Sequence, residues 1–272
     1  LPGIRAVVFD VYGTLLISGS GDVGTVAAAP SDAFVQACEA VGLQWKGGLA
    51  VGSATLVEAI EHSHQQSRTQ GIEYPEVEIT DIWRTTIDRL AAQATNVPSR
   101  DAIDYQRLAV EYEVRVNPGW PMPDLVASLA TLRSAGMIMG IVSNAQFFTP
   151  VIFPALVENS IDELGFLEDL CVWSFQHGHA KPGLFLYQRA SELLASHGVE
   201  AGEVLYVGND MLNDIMPAHR VGFRTGLFAG DRRSLRMREG DERVAGISPD
   251  LVFTQLDQIA RAVGISDRSH EH

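Results

Sequence analysis

The amino-acid sequence predicts an α/β fold in which a parallel sheet is interrupted by an inserted helical domain. Six short apolar runs have the length and the lack of polar alternation that are typical of strands buried on both faces. They span residues 4–9, 137–142, 171–175, 204–207, 224–228 and 251–253. Amphipathic helical patterns separate the later runs, at residues 124–134, 184–196, 213–221 and 255–263. This alternation predicts a doubly wound parallel sheet covered by helices.

Residues 18–117 break this alternation. Helical patterns occupy residues 32–41, 51–69, 81–94 and 100–115, and no strand pattern of comparable quality lies among them. A Ser/Gly run begins at Ser18 and a Pro/Gly-rich run begins at Asn117, so both borders carry turn-forming residues. The sequence therefore predicts two domains: residues 1–17 with 118–272 form the α/β core, and residues 18–117 form an all-helical insertion.

The composition is that of an ordinary globular protein with an acidic surface. Of 272 residues, 46% are hydrophobic and 20% are charged, and the formal net charge is −14. A surface this acidic repels phosphate backbones and anionic lipids, so neither nucleic acid nor a membrane is an expected partner. The densest basic run contains Arg232, Arg233, Arg236 and Arg238. Acidic residues are interleaved with it, which favours a solvated loop or helix face.

Two cysteines, Cys38 and Cys171, lie far apart in apolar surroundings. Such residues are typically buried, reduced thiols, and this predicts a cytoplasmic protein. We expect a monomer or homodimer whose partner is a small-molecule substrate.

Polar residues follow four of the predicted strands, at the point where each strand ends. Eight residues share this placement: Asp10, Thr14, Ser143, Asn144, Lys181, Asn209, Asp210 and Asp214. Because ligands bind beyond the carboxyl ends of the strands in an open parallel sheet, we expect these side chains to converge on one site. A single residue of this kind would be a turn or a helix cap, whereas four groups in this order favour an active site.

In order and spacing, these residues resemble the four motifs of the haloacid dehalogenase superfamily of hydrolases. The resemblance covers residues 1–17 and 118–272 and implies a Rossmann-like core, with residues 18–117 in the position of that family's helical cap of the first type. It implies that Asp10 is a nucleophile that forms a covalent aspartyl intermediate. Ser143 and Lys181 are the other implied catalytic residues, because a hydroxyl and a compact cation stabilise the transferring group and its developing negative charge.

The remaining implied roles are substrate and metal binding. Tyr12, Thr14 and Asn144 are the expected substrate-binding residues. Asp210 and Asp214 are four residues apart and share a helix face, so that with Asp10 they would form an oxygen-rich pocket suited to Mg²⁺. The family often has its first acidic residue directly after the glycine, where this chain has Asn209. The register of the ligands among Asn209, Asp210 and Asp214 is therefore open.

Tyr12 bears on the choice of reaction. Phosphatases of this family usually have an aspartate two residues after the nucleophile, which protonates the leaving alcohol. A tyrosine, with an ordinary pKa near 10, is a poor substitute at neutral pH. Tyr12 resembles the 2-haloacid dehalogenase branch, in which the leaving halide needs no proton. Tyr187, six residues after Lys181, also matches a Lys–Tyr pairing of that branch, although a buried helix face is the favoured interpretation.

Two features point away from that branch. It is expected to carry an arginine early in the cap, and this chain has none between Arg5 and Arg68. It usually has Ser and Asn in the fourth motif, where this chain has Asp210 and Asp214. The sequence therefore favours a magnesium-assisted hydrolase of a small phosphorylated or otherwise activated metabolite. The alternatives are a metal-free 2-haloacid dehalogenase and a non-catalytic small-molecule binding module.

Overall fold

The computed structural model describes residues 1–19, 32–45, 49–91, 94–96 and 99–265. The chain divides into two compact units, one of Leu1–Asp22 with Trp120–His272 and one of Val23–Gly119. The roles of these two units, a hydrolase core and a cap, stay predictions.

The helices and strands of the described residues are as follows. The strands are β1 (Ala6–Phe9), β2 (Leu16–Ser18), β3 (Gln44–Trp45), β4 (Ala94–Asn96), β5 (Gly119–Pro121), β6 (Ile138–Ser143), β7 (Cys171–Trp173), β8 (Val204–Gly208), β9 (Arg224–Phe228) and β10 (Leu251–Phe253). The helices are α1 (Ala33–Ala40), α2 (Leu49–Thr69), α3 (Ile79–Leu90), α4 (Tyr105–Val116), α5 (Leu125–Ser134), α6 (Thr149–Val157), α7 (Ser174–His177), α8 (Phe185–Ser196), α9 (Met216–Arg220) and α10 (Asp257–Ala262).

A six-stranded sheet organises the first unit, with the strand order β10-β9-β8-β1-β6-β7. Its neighbouring strands are parallel, and Phe9 of β1 lies opposite both Ile141 of β6 and Val207 of β8. After β1, the chain adds β6 and then β7 on one side of β1. It then adds β8, β9 and β10 in turn on the other side. Strand β1 is therefore the point at which the strand order reverses, where open α/β sheets bind their ligands.

The strands are apolar because side chains on both sides of the sheet are buried. Ala6 and Val8 of β1 pack in a cluster with Leu186 and Leu194 of α8. Phe9 points to the other face, where its ring meets that of Phe166 edge-on at 5.9 Å. These observations confirm the predicted parallel α/β sheet with surrounding helices.

Several elements differ from the sequence prediction. Strand β7 ends at Trp173, two residues early, because Ser174 begins the short helix α7. The predicted helix 213–221 begins instead with a π-helical turn, Met211–Ile215, that continues into α9. Helix α6 was not predicted, since it carries Pro150 at its start and Pro154 inside. Proline inside a helix removes a backbone hydrogen bond, which makes such a helix hard to predict.

The second unit is a group of helices around an aromatic core. Trp83 of α3 is fully buried, and its ring lies 5.5 Å from that of Phe34 and 5.3 Å from that of Tyr112. Strands β3 and β4 add a small antiparallel sheet, so the insertion is not entirely helical. These strands of two and three residues are too short to show an alternating pattern in sequence. Among the described residues, no helix has both the length and the apolar character needed to cross a membrane.

Candidate active site

Asp10 follows β1 directly, at the carboxyl end of the central strand. Its backbone N–H donates to the carbonyl oxygen of Val207 at 2.9 Å, which extends the pairing of β1 with β8 by one residue. The residue is 6% exposed. The predicted nucleophile is thus buried at the reversal point of the sheet.

One oxygen of the Asp10 carboxylate is held by two further residues that the sequence singled out. Ser143 Oγ donates to Asp10 Oδ1 at 3.0 Å, and Lys181 Nζ donates to the same oxygen at 2.7 Å. Within the described part of the chain, Oδ2 has no hydrogen-bond partner. The carboxylate is therefore oriented through one oxygen while the other is uncommitted.

Lys181 is buried and uses all three of its ammonium N–H groups. Nζ donates to Asp10 Oδ1 and Asp214 Oδ1, at 2.7 Å each, and to the Tyr206 hydroxyl at 2.8 Å. Burial by itself lowers the pKa of Lys181, but the Asp10 and Asp214 carboxylates raise it above its ordinary value. The side chain is therefore a fixed cation at neutral pH.

Tyr206 belongs to this network and was missed in the sequence analysis. It lies in the apolar run of β8, where a tyrosine looks like one more buried side chain. Its hydroxyl lies 2.9 Å from the carbonyl oxygen of Val142 and 3.1 Å from Asp214 Oδ1, either of which accepts its proton. Burial, and then the charge of Asp214, raises the pKa of Tyr206 well above its ordinary value. Its position in a doubly buried strand was the available signal, because a buried hydroxyl needs a partner.

Tyr187 contacts the same cluster from α8 and is fully buried. Its hydroxyl donates to the carbonyl oxygen of Asn213 at 2.7 Å and lies 3.5 Å from Asp214 Oδ1. Burial raises the pKa of Tyr187 well above its ordinary value. Tyr187 therefore packs in the core, as favoured from the sequence, and also lines the polar network around Asp214.

Asn144 and Thr14 make positioning contacts. Asn144 Oδ1 accepts from the backbone N–H of Lys181 at 2.8 Å, which links the end of β6 to the lysine loop. Thr14 is fully buried, and its Oγ1 donates to Asn209 Oδ1 at 3.3 Å. Both residues lie near the predicted site, and their contact with substrate stays a prediction.

Tyr12 lies at the same edge, but its hydroxyl is engaged away from Asp10. It is 8% exposed, and its oxygen lies 3.0 Å from Oγ1 of Thr149, the first residue of α6. The same Thr149 oxygen also accepts a hydrogen bond from the backbone N–H of Gln146 at 3.2 Å. In the bond between Tyr12 and Thr149, either hydroxyl can be the donor. Tyr12 is thus built into the loop between β6 and α6, and its predicted substrate contact is untested.

Asp210 is paired with Arg238. Arg238 Nε lies 3.0 Å from Asp210 Oδ1 and 3.1 Å from Oδ2, and Nη2 also donates to Oδ2. Asp210 Oδ1 further accepts from the backbone N–H groups of Leu212 and Asn213, at 2.8 and 3.2 Å, and so caps the π-helical turn. For Arg238, the interpretation of the basic run as a solvated face is wrong, because its guanidinium is bound to the buried carboxylate of Asp210. The pairing joins residues 28 positions apart, which local sequence patterns do not show.

Asp214 is 2% exposed, and both of its oxygens are occupied. Oδ1 accepts from Lys181, and Oδ2 accepts from the backbone N–H of Asp210 at 2.9 Å. Burial raises the pKa of Asp214 to about 6, Lys181 opposes this shift, and the charges of Asp10 and Asp210 add to it. Asp214 is thus an ionised carboxylate at neutral pH whose charge is matched by the lysine.

The predicted magnesium ligands do not fit an ion in this arrangement. Among the described residues, no three His, Cys, Asp or Glu side chains are placed to hold one metal. The physical reason is that organic cations already pair with the carboxylates. Lys181 lies between Asp10 and Asp214, and Arg238 grips Asp210. Asp10, Asp210 and Asp214 as a magnesium-ligand set therefore stay a prediction, which these ion pairs do not favour.

The chain is similar to known proteins over most of its length. The sequence profile of the haloacid dehalogenase-like hydrolases matches residues 4–222. The chain is 27% identical to (S)-2-haloacid dehalogenase 4A of Burkholderia cepacia, over 82% of this chain and 81% of that one. It is also 27% identical to phosphoglycolate phosphatase of Photorhabdus laumondii, over 97% of this chain and 94% of that one.

Solved structures show the same fold. The crystal structure of 2-haloacid dehalogenase from Pseudomonas syringae pv. Tomato superimposes with a TM-score of 0.60 at 19% identity, covering 95% of this chain and 97% of that one. The family match spans most of the chain and includes Asp10, Ser143, Lys181 and Asp214. The chain therefore belongs to the haloacid dehalogenase-like hydrolases.

Proposed function

We propose that this hydrolase acts through a covalent ester at Asp10 and that its reaction is the dehalogenation of a small 2-haloacid. The observation that carries the proposal is that the carboxylates around Asp10 are paired with Lys181 and Arg238. Displacement of a halide at carbon needs one nucleophilic oxygen and no proton donor. Hydrolysis of a phosphate ester needs a proton for the leaving alcohol, and the Tyr12 hydroxyl is engaged by Thr149.

In the first step, Asp10 Oδ2 attacks the carbon that bears the halogen. A carbon–oxygen bond forms as the carbon–halogen bond breaks, and the halide leaves with the bonding electron pair. The product of this step is an ester between Asp10 and the substrate. The uncommitted state of Oδ2, with Oδ1 fixed by Ser143 and Lys181, supports this assignment of the attacking oxygen.

In the second step, water adds to the carbonyl carbon of the ester. Oδ1 is then the carbonyl oxygen, and the N–H of Lys181 and the O–H of Ser143 already point at it, so they stabilise the negative charge that develops there. Cleavage of the bond between Cγ and Oδ2 releases a 2-hydroxy acid that keeps the Oδ2 atom, and Asp10 regains an oxygen from the attacking water. One proton of that water ends on the product hydroxyl, and the other leaves to solvent. Once Asp10 is esterified, Asp214 is the ionised carboxylate beside Lys181, and we assign to it the acceptance of the water proton.

The substrate class rests on the relatives and on the site together. One relative is named as a dehalogenase of (S)-2-haloacids, and structural neighbours include 2-haloacid dehalogenases. As part of the same proposal, residues 18–117 act as the cap that selects the substrate. The cytoplasmic location and the monomeric or homodimeric state stay predictions.

A magnesium-assisted phosphatase is the second candidate. It is favoured by the presence of Asp210 and Asp214, and by a relative named as a phosphoglycolate phosphatase. Magnesium would supply positive charge for a phosphoryl group. Asp210 would reach an ion only after release from Arg238, which makes this candidate the weaker one.

The deciding experiment measures halide release from 2-chloropropionate and phosphate release from phosphoglycolate side by side, in EDTA and in Mg²⁺. We expect halide release that is unchanged by EDTA and abolished in Asp10→Asn. Phosphate release that needs Mg²⁺, without halide release, would support the second candidate. Neither activity on a broad panel of halo acids and phosphate esters would support the non-catalytic binding module.

A single-turnover reaction in ¹⁸O-labelled water tests the ester itself. Because water is proposed to attack the carbonyl carbon of the Asp10 ester, the label should enter the Asp10 carboxylate, and the first-turnover product should be unlabelled. Mass spectrometry of the peptide that contains Asp10 reads this out. Label in the product and none in the peptide would mean that water attacks the substrate directly.

A further inference from the structure

Arg238 is not among the eight polar residues that the sequence places at the ends of strands, but it forms an ion pair with one of them, Asp210. Its guanidinium makes a two-pronged contact with Asp210, and the Asp210 side chain is 8% exposed. We propose that Arg238 takes the place of a divalent cation at Asp210: it balances this carboxylate and keeps metal ions out of the site. This inference rests on the proposed metal-independent reaction and names the residue that makes the site independent of metal.

The backbone around Arg238 is fastened to the strand end that carries Asp210. Arg236 N donates to the carbonyl oxygen of Asn209, and Met211 N donates to the carbonyl oxygen of Arg236, both at 2.9 Å. These bonds form a parallel bridge between Asp210 and Arg236, two residues before Arg238. The Asn209 side chain adds a bond to the carbonyl oxygen of Ser234 at 2.6 Å. These hydrogen bonds hold the loop in a position in which Arg238 lies beside Asp210.

Arg238 has a backbone conformation that such a residue rarely adopts. Its φ is 55°, in the left-handed region that favours glycine and asparagine. A residue is held in such a conformation only where the surrounding contacts determine it, and this tends to occur at functional positions. In this conformation Arg238 contacts Asp210 with its guanidinium.

The charges around Asp10 support the same role. Within the described residues, Asp10, Asp210 and Asp214 carry three negative charges, and Lys181 and Arg238 contribute two positive ones through direct ion pairs. The net charge of these five side chains is −1, which equals the charge of one nucleophilic carboxylate. Without Arg238 the excess would be two, and an anionic 2-haloacid would be repelled more strongly.

A second arginine in the same loop is a matched comparison. Arg243 contacts Asp241 with Nε to Oδ1 at 3.0 Å and Nη2 to Oδ2 at 2.7 Å, the same two-pronged geometry. The side chain of Asp241 is 25% exposed, so this pair is more solvated than the pair of Arg238 with Asp210. Any effect that is specific to Arg238 must then come from its position and not from the loss of an ion pair in this loop.

The test of cation exclusion needs no substrate. The full chain is titrated with MgCl₂ and separately with MnCl₂, and Tm is followed for the wild type, Arg238→Asn, Arg243→Asn and the double variant Asp210→Asn/Arg238→Asn. Asparagine is chosen because it tolerates the left-handed backbone at position 238. We expect either ion to raise the Tm of Arg238→Asn by about 2 °C or more, because Asp210 is then available to a ligand that binds only the folded state.

The wild type, Arg243→Asn and the double variant should show no comparable rise. An equal rise in the wild type would overturn the proposal, since Arg238 would then not exclude the ion. No rise in Arg238→Asn would also overturn it. If Arg238→Asn does not fold, Arg238→Lys replaces it: this variant keeps the charge and should stay insensitive to Mg²⁺, and a gained response would contradict the proposal.

The kinetic test uses 2-chloropropionate in EDTA. We expect KM of Arg238→Asn to rise by about tenfold with a much smaller change in kcat, because one extra negative charge weakens the binding of an anion in ground and transition states alike. In the double variant, KM should return most of the way to the wild-type value, because the negative charge of Asp210 and the positive charge of Arg238 are removed together. An unchanged KM in Arg238→Asn, or no recovery in the double variant, would contradict the electrostatic role.

The two proposals fail separately. If the chain releases no halide from any halo acid, the proposed function fails, but the Tm comparison still decides whether Arg238 excludes a cation. If halide release occurs in EDTA and Mg²⁺ does not change the Tm of Arg238→Asn, the proposed function holds and the role of Arg238 fails.

Discussion

The Tyr12 hydroxyl lies 3.0 Å from Thr149 Oγ1, and this hydrogen bond ties the residue two positions after Asp10 to the start of α6. A tyrosine whose hydroxyl is used in this way supports the loop that carries Asn144. Under the proposed dehalogenation, no proton is needed from Tyr12, because the halide leaves without one.

Replacement of Tyr12 by phenylalanine should therefore affect stability more than catalysis. We expect Tyr12→Phe to lower the free energy of unfolding by about 1 kcal/mol and to change kcat by less than about threefold. Thr149→Val should cost more, because it also removes the bond from the backbone N–H of Gln146. The double variant should cost less than the sum, because both single changes remove the bond between Tyr12 and Thr149. Denaturant unfolding and halide release check this. A hundredfold fall in kcat at unchanged stability would show that Tyr12 acts in the chemical step.

Removal of the Lys181 ammonium should damage both stability and activity. In Lys181→Met, the buried Asp10 and Asp214 carboxylates lose their shared cation, and we expect a loss of about 3 kcal/mol or more in stability. Halide release should fall by about 10³-fold, because the ester carbonyl loses a charged donor. The control is Arg189→Met, whose exposed pair with Glu192 should contribute less than about 1 kcal/mol. Substantial turnover in Lys181→Met would remove the lysine from the mechanism.

Gly208 should be required for the position of Asp214. A Cβ at this residue would lie 2.4 Å from Asp214 Cγ, so Gly208→Ala must displace the carboxylate and with it the bond to Lys181. We expect a fall in kcat of at least about tenfold and a stability loss of about 1–3 kcal/mol. Gly202→Ala is the matched control, because a Cβ there meets nothing within 4 Å. Steady-state kinetics and thermal unfolding distinguish the two, and equal behaviour of both variants would contradict the close packing at Gly208.

Asp214 should make stability depend on pH in a predictable direction. Burial raises its pKa from 3.8 to about 6 in the folded protein. Between these values the folded state binds the proton and the unfolded state does not, so this contribution is complete below pH 4 and is lost as the pH rises to 6. The stability of the wild type should thus fall by roughly 1 kcal/mol per pH unit, relative to Asp214→Asn, over this interval. Urea unfolding at pH 4, 5, 6 and 7 measures the difference, and a constant difference would mean that Asp214 is not protonated in this range.

Several features of the site follow from short-range sequence patterns. Asp10, Ser143 and Lys181 stand at the ends of apolar runs, and parallel strands bring their carboxyl ends to one edge, so their proximity could be predicted. The contacts of Asp10 with Ser143 and Lys181 agree with that prediction. The parallel sheet itself was predictable for the same reason, because strands buried on both faces have continuous apolar sequences.

The ion pairs of Asp210 and Asp214 could not be predicted in this way. Asp210 and Asp214 share one turn, and the sequence alone suggested that both face an ion. The structure shows that Asp210 turns to Arg238 and that Asp214 turns to Lys181 and Tyr206. Whether a carboxylate binds a metal or an arginine depends on which cation the fold brings within about 3 Å, and a residue 28 positions away is placed by the loop between β9 and β10.

The sequence by itself thus determined the fold class and the family and predicted Asp10 as the nucleophile, because these depend on periodicity and on residues at strand ends. Only the tertiary structure decided the electrostatic state of the site. Coulombic pairing in a buried site depends steeply on separation and solvent exposure. Neither the distance of Arg238 from Asp210 nor the contact of Tyr206 with Lys181 is set by neighbours in the chain.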